Sequence, residues 1–236
     1  MIPIADEIRS RRVPWVTWLL LLANVVVFFY QTSMGDAAML AFVMRWGAVP
    51  VRVIHPVAYP WSLLTLFTSI FLHGGWLHLF SNMLYLWIFG DNVEDVLGHG
   101  GFLLFYVMAG VLAGLAQVLS MPWATVPAIG ASGAIAGVLA VYLVFFPTAP
   151  VRVLVPGLMF MHVTRLPAAL VLLMWFLLQL FNGFLSLGVQ TMATGGVAWF
   201  AHIGGFVVGL IVGAIARARH RRRTVWDWDR YRRSGW

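Results

Sequence analysis

Apolar residues run through this chain in blocks, with polar residues confined to the gaps between them. Blocks at about 14 to 30, 76 to 90, 102 to 120, 131 to 146, 167 to 186 and 199 to 216 predict six membrane-spanning helices. Several are shorter than the usual twenty or so residues, so a short one must tilt, borrow from its flanks or begin inside the bilayer. A further apolar stretch, Ala37 to Trp46, is too brief to cross and predicts an interfacial helix in a long first loop. Pro50, Pro56 and Pro60 break the remainder of that loop. Asp91, Glu94 and Asp95 fall just beyond the second block and predict a solvated helix end.

Composition agrees: 61% of the 236 residues are hydrophobic and 10% charged, too little polar surface to cover a water-soluble globule. The formal net charge of +7 would suggest nucleic acid in a soluble protein, but no nucleic-acid partner is expected from its distribution. Six spans put both termini on one side, and thirteen of the fifteen arginines fall there, at the two ends and at Arg152 and Arg165. Only Arg45 and Arg52 fall on the other, so both termini are expected in the cytoplasm. With no cysteine, disulfide and thiolate chemistry are excluded. The chain reads as an N-terminal segment at 1–13, a helical domain at 14–216 and an Arg-rich tail at 217–236 whose arginines alternate with Trp226, Trp228, Tyr231 and Trp236. That tail predicts a stop-transfer signal resting on anionic lipid. The first apolar block predicts an uncleaved span, being long and aromatic with no small-residue cleavage site after it.

Polar groups recur near the external start of blocks two, four and six. His78, Ser132 and His202 lie twelve to fourteen residues before the cytoplasmic ends at Gly90, Phe146 and Ala216. Helical rise then puts all three roughly 18 to 21 Å from the inner boundary. Asn82 is one turn below His78 on the same face. Groups of this kind at that depth must face one another or a wet cavity. A serine hydroxyl needs a base, and neutral imidazole suits the task near pH 7. None of the eight acidic residues lies at this depth, so a Ser132-His202 dyad is what the chain can build. Gly205, Gly209 and Gly213 form a stripe that lets the sixth span lie against Gly133, Ala136 and Gly137 of the fourth. His78, the Asn82 amide and the Ser132 N–H are the candidate oxyanion donors. A metal site from His73, His78 and His202 is the competing reading of the histidines, and a small-solute transporter that of the cluster. No cofactor and no metal are expected.

Gly130-Ala131-Ser132-Gly133, His78-Leu79-Phe80-Ser81-Asn82, Ala201-His202-Ile203-Gly204-Gly205 with Gly209, and Phe71-Leu72-His73 together resemble the rhomboid intramembrane serine proteases over about residues 14 to 216. The resemblance implies an all-α membrane protein with the six-transmembrane-helix rhomboid bundle. It implies Ser132 as nucleophile, His202 as general base and then acid, and His78 with Asn82 in the oxyanion hole. His73 is implied to be structural or to retain water near the site. Membrane-anchored proteins are the implied substrates, cleaved near the external face, with the bacterial inner membrane the expected location. A mobile cap is expected at about 187 to 198, around Gly188, Gly195 and Gly196, with substrate passing beside span five. A proteolytically silent relative that routes membrane proteins is the alternative within the family. The chain departs from the family at two places. Trp61-Ser62 replaces the frequent Trp-Arg, leaving the loop without its usual anchor. Ala136 stands where many members have an aromatic residue against the histidine, so either another aromatic supports His202 or the ring is held less firmly.

Overall fold

The computed structural model describes residues 1–156, 161–186 and 198–233, with side chains as far as residue 220 in the last segment. The expected cap, apart from residue 198, lies outside the described residues, as do the side chains of the aromatic tail. Nine α-helices are present among the described residues, besides two short 3₁₀ turns at Ser62–Leu64 and Ser69–Phe71: α1 Trp15–Thr32, α2 Asp36–Trp46, α3 Pro50–Val53, α4 Thr65–Thr68, α5 Trp76–Leu97, α6 His99–Ser120, α7 Ser132–Phe145, α8 Ala168–Ser186 and α9 Trp199–Arg233. Three strands, β1 Ile2–Asp6, β2 Pro150–Pro156 and β3 Met161–Pro167, complete them.

The helices are inverted relative to those of a soluble protein. α1 buries Thr17, Leu20, Asn24, Phe28 and Gln31, a stripe at spacings of three and four that includes three polar residues. Its opposite face exposes Trp18, Leu19, Leu22, Val26 and Phe29. Large apolar side chains facing outward and amides facing inward are stable only where the surroundings are lipid. α1, α6, α8 and α9 are each long and apolar enough to cross a membrane, and α5 forms a pair with Ser62–Phe71 bent by 78°. The protein is therefore a mostly helical multi-pass membrane protein.

α7 is different. Every residue from Gly133 to Tyr142 is buried, so α7 is the axis round which the other helices pack. At 14 residues it is about 21 Å long, short of a hydrocarbon core of about 30 Å. α9 packs along α7 and α6, α5 packs on α1 and α7, and α8 lies mainly on α9.

The three-stranded antiparallel sheet, in order β1-β2-β3, corrects the purely helical expectation. β2 pairs Arg152 with Arg165 and Leu154 with Val163 in β3, and Asp6 of β1 lies opposite Val151. Its signal in the sequence is the alternation Val151-Arg152-Val153, in which both valines are fully buried and the arginine is exposed. Asp6 ties the sheet to the bundle: its carboxylate accepts from Asn92 Nδ2 at 3.0 Å and from the Tyr142 hydroxyl at 2.7 Å.

The expected solvated helix end is also corrected at one residue. Glu94 is 1% exposed, and its carboxylate accepts from the backbone N–H groups of Val16 and Thr17 and from the Thr17 hydroxyl. It fixes the first turn of α1, where N–H groups lack partners of their own helix. Asp95 is partly exposed, near Arg12, and accepts from the Arg11 N–H.

Candidate active site

Ser132 is the first residue of α7, and the chain reaches it through a pinned segment. Ala48 and Ala128 exchange backbone hydrogen bonds, and Gly130 N–H donates to the Ser69 carbonyl at 2.9 Å. Gly130 has φ +122°, a conformation L side chains rarely adopt, and a Cβ there would sit 2.7 Å from His78 Nε2. Only glycine turns the chain into α7 while leaving room for that imidazole.

His202 belongs to the first turn of α9. Gln117 Oε1 accepts from the N–H groups of Phe200 and Ala201, so α6 holds the start of α9 in place. Beyond it Gly205 and Gly209 touch the α7 backbone: a Cβ on either would overlap the carbonyl oxygens of Gly133 and Gly137 respectively. Helices this close bring the imidazole to the hydroxyl, and Ser132 Oγ lies 2.7 Å from His202 Nε2.

The other imidazole nitrogen is engaged as well. His202 Nδ1 lies 2.7 Å from Gln179 Oε1 of α8, and the ring is flanked by Trp175 at 5.6 Å and Trp199 at 6.1 Å between centroids. These indoles supply the aromatic support that Ala136 does not. The motifs of the sequence do not point to Gln179, although it is the one polar residue in the apolar stretch from Ala168 to Phe181.

On the other side of Ser132 are His78 and Asn82, both on α5. Gly74 N–H donates to His78 Nδ1 at 3.3 Å, which leaves the ring proton of a neutral imidazole on Nε2, the nitrogen beside Gly130. Asn82 is 5% exposed and its Nδ2 has no hydrogen-bond partner. A buried amide donor without a partner is costly unless something reaches it in the working state. His73 is buried behind His78, with 5.1 Å between ring centroids and neither ring nitrogen partnered; its backbone N–H and carbonyl bond the Gln31 amide. Gln31 holds its backbone from α1. Among the described residues no group of three His, Cys, Asp or Glu side chains has the arrangement to hold a metal ion.

His78, Asn82, Ser132, Trp175 and His202 share one cleft of about 1110 Å³, walled mainly by apolar side chains and continued towards Met44 of α2. It lies between α5 and α8, which meet where Tyr85 and Trp175 approach to 6.4 Å between ring centroids. The first loop, lacking an arginine at Ser62, is tied instead by Arg52, whose Nη1 donates to the Met44 carbonyl at 2.6 Å, and by Thr68, whose hydroxyl donates to the Trp46 carbonyl at 2.6 Å.

A helical membrane protein with a hydroxyl, two imidazoles and an orphan amide in one cleft has the make-up of a membrane-embedded serine hydrolase. The rhomboid domain, as a family pattern, matches residues 60–219. Rhomboid protease GlpG of Salmonella typhi is 28% identical over 228 residues, which cover 94% of this chain and 70% of that protein. The proteins of the same name from Salmonella newport (strain SL254) and Salmonella typhimurium (strain LT2) match with the same identity and coverage. The chain belongs to the rhomboid family, and is by class an intramembrane serine protease.

Proposed function

We propose that Ser132 and His202 form the catalytic dyad of an endopeptidase that cuts the transmembrane segments of membrane-anchored proteins near the external face. The observation that carries this is the 2.7 Å approach of Ser132 Oγ to His202 Nε2 inside a cleft of about 1110 Å³. In the first step His202 Nε2 takes the hydroxyl proton as Oγ attacks the scissile carbonyl carbon. The oxyanion that forms accepts hydrogen bonds from Asn82 Nδ2, His78 Nε2–H and the Ser132 N–H at the head of α7. Collapse breaks the C–N bond, and the imidazolium returns its proton to the leaving amine. Water then attacks the acyl-serine with His202 as base, the acid product departs, and Ser132 regains its proton.

A substrate helix unwinds before its carbonyl reaches Oγ, because a helical peptide bond is shielded by its own hydrogen bonds. It enters sideways between α5 and α8, where Tyr85 and Trp175, both lining the cleft and 6.4 Å apart between ring centroids, must part to admit it. The transmembrane domain comprises residues 14–216 with six spans: the four long helices, α5 with its bent partner, and α7, which begins inside the bilayer. Both termini are cytoplasmic and the tail at 217–236 lies on that face, in an inner membrane of bacterial type. The support is the arginine distribution, thirteen of fifteen on one side.

The test is cleavage of a fluorogenic single-span substrate in proteoliposomes, together with fluorophosphonate labelling. Ser132→Ala should lose both activities while keeping its thermal stability. Undiminished cleavage by that variant refutes the nucleophile assignment, and absence of cleavage and labelling by the unaltered protein favours a silent relative.

A further inference from the structure

We propose that Gln179 is the positioning residue of His202, so that the working unit is Ser132, His202 and an amide rather than a dyad alone; this rests on Ser132 being the nucleophile and His202 its base. The orientation of the amide follows from its two neighbours. Gln179 Nε2 donates to the Trp175 carbonyl one turn earlier at 3.0 Å, and the reversed amide would set two oxygens against each other there. Oε1 therefore faces the imidazole, and being an acceptor only, it requires the proton on His202 Nδ1 at 2.7 Å. A neutral ring with its proton on Nδ1 has a lone pair on Nε2, which is the atom 2.7 Å from Ser132 Oγ. The amide thus selects the one tautomer that can take the hydroxyl proton.

Both groups are closed to bulk water, Gln179 being 7% and His202 8% exposed, so no solvent competes for Nδ1. Trp175 and Trp199 limit tilting of the ring, but neither can choose a tautomer, since an indole offers no acceptor along the Nδ1–H direction. When the imidazolium forms, its Nδ1–H still points at the amide oxygen, and the dipole stabilises the charge without a buried carboxylate. α8 both walls the cleft with Trp175 and holds the base with Gln179.

Full-length protein in proteoliposomes, with the single-span substrate, tests this through Gln179→Leu and Gln179→Glu. With Leu, kcat should fall roughly 10- to 100-fold, less than the full contribution of about 10²- to 10⁴-fold from a general base because His202 itself remains, while KM stays within about twofold because the substrate does not touch residue 179. With Glu, which keeps an acceptor, most of kcat returns and the acid limb of the kcat/KM profile moves up by about one pH unit through the added negative charge. A Leu variant with unaltered kcat, or a Glu variant whose profile coincides with that of the parent, overturns the proposal. If the Leu variant does not fold, the Glu profile decides alone. Ser132→Ala run in parallel separates the two readings: if it remains active the nucleophile assignment fails, whereas an inactive Ser132→Ala beside a fully active Gln179→Leu removes only the amide.

Discussion

Gly205 of α9 lies directly against Gly133 of α7, so close that a Cβ on Gly205 would overlap the Gly133 carbonyl oxygen. One turn further, Gly209 stands in the same relation to Gly137. This contact sets how far His202 is from Ser132, because each residue is one turn or less from the glycine pair on its own helix.

Gly205→Ala should therefore force the two helices apart. Overpacking of this kind costs about 1 to 3 kcal/mol, and activity should fall by more than the stability loss alone accounts for, since the hydroxyl leaves hydrogen-bond range. Gly35→Ala, where an added Cβ meets nothing within 4 Å, is the control. Thermal melts with initial cleavage rates distinguish the two variants.

Asn82→Ala removes the buried donor that has no partner at rest. Its kcat should fall about 10²- to 10³-fold with little change in KM, as for loss of one oxyanion donor. Stability should hold or rise slightly, because an unsatisfied group is taken away. A loss confined to KM would assign Asn82 to substrate binding instead.

Glu94→Gln tests the anchor beneath the bundle. A neutral amide cannot accept as strongly from Val16 N–H, Thr17 N–H and Thr17 Oγ, and its NH₂ meets donors; destabilisation of about 1 to 3 kcal/mol is expected. Relative kcat of the folded fraction should be unchanged. Melting curves of parent and variant, set beside their cleavage rates per folded molecule, provide the check.

Asp6 gives the three-stranded sheet a pH dependence. Burial raises its pKa from the ordinary 3.8 to about 6, opposed by the Tyr142 hydroxyl that donates to it and reinforced by the charge of Asp91. A raised folded-state pKa means that the stabilising contribution is fully present below about 3.8 and is lost as pH rises through about 6. Asp6→Asn, which still accepts from Tyr142, should flatten that fall. The difference in melting temperature between parent and variant should change progressively from pH 4 to pH 7, in the variant's favour; a constant difference would remove Asp6 as its source.

Much was legible along the chain because burial in lipid leaves a one-dimensional signature. The apolar blocks mark α1, α5, α6, α7, α8 and α9 to within a few residues except where α5 runs on to Leu97 and α9 to Arg233. The order of Ser132, His202, His78 and Asn82 within those blocks was visible too, since a polar group in an apolar run stands out. Less visible was what each polar residue does. Glu94 reads as a solvated helix end until α1 is seen to begin on its carboxylate, and the strand alternation at Val151 to Val155 was hidden beside longer apolar runs.

The sequence by itself determined that the chain lives in a membrane, which family it resembles, and which hydroxyl and imidazole are available, because those depend on residue type and spacing along one helix. Only the tertiary structure decided that an amide on α8 meets His202 Nδ1, that two indoles take the place left by Ala136, and that Arg52 ties the first loop. Those contacts join residues far apart in the chain or on separate elements; the glycine stripes of α7 and α9 indicate that the two helices touch, but which side chains of α8 and the first loop then meet the site depends on the packing of all the helices, which no pattern along one of them encodes.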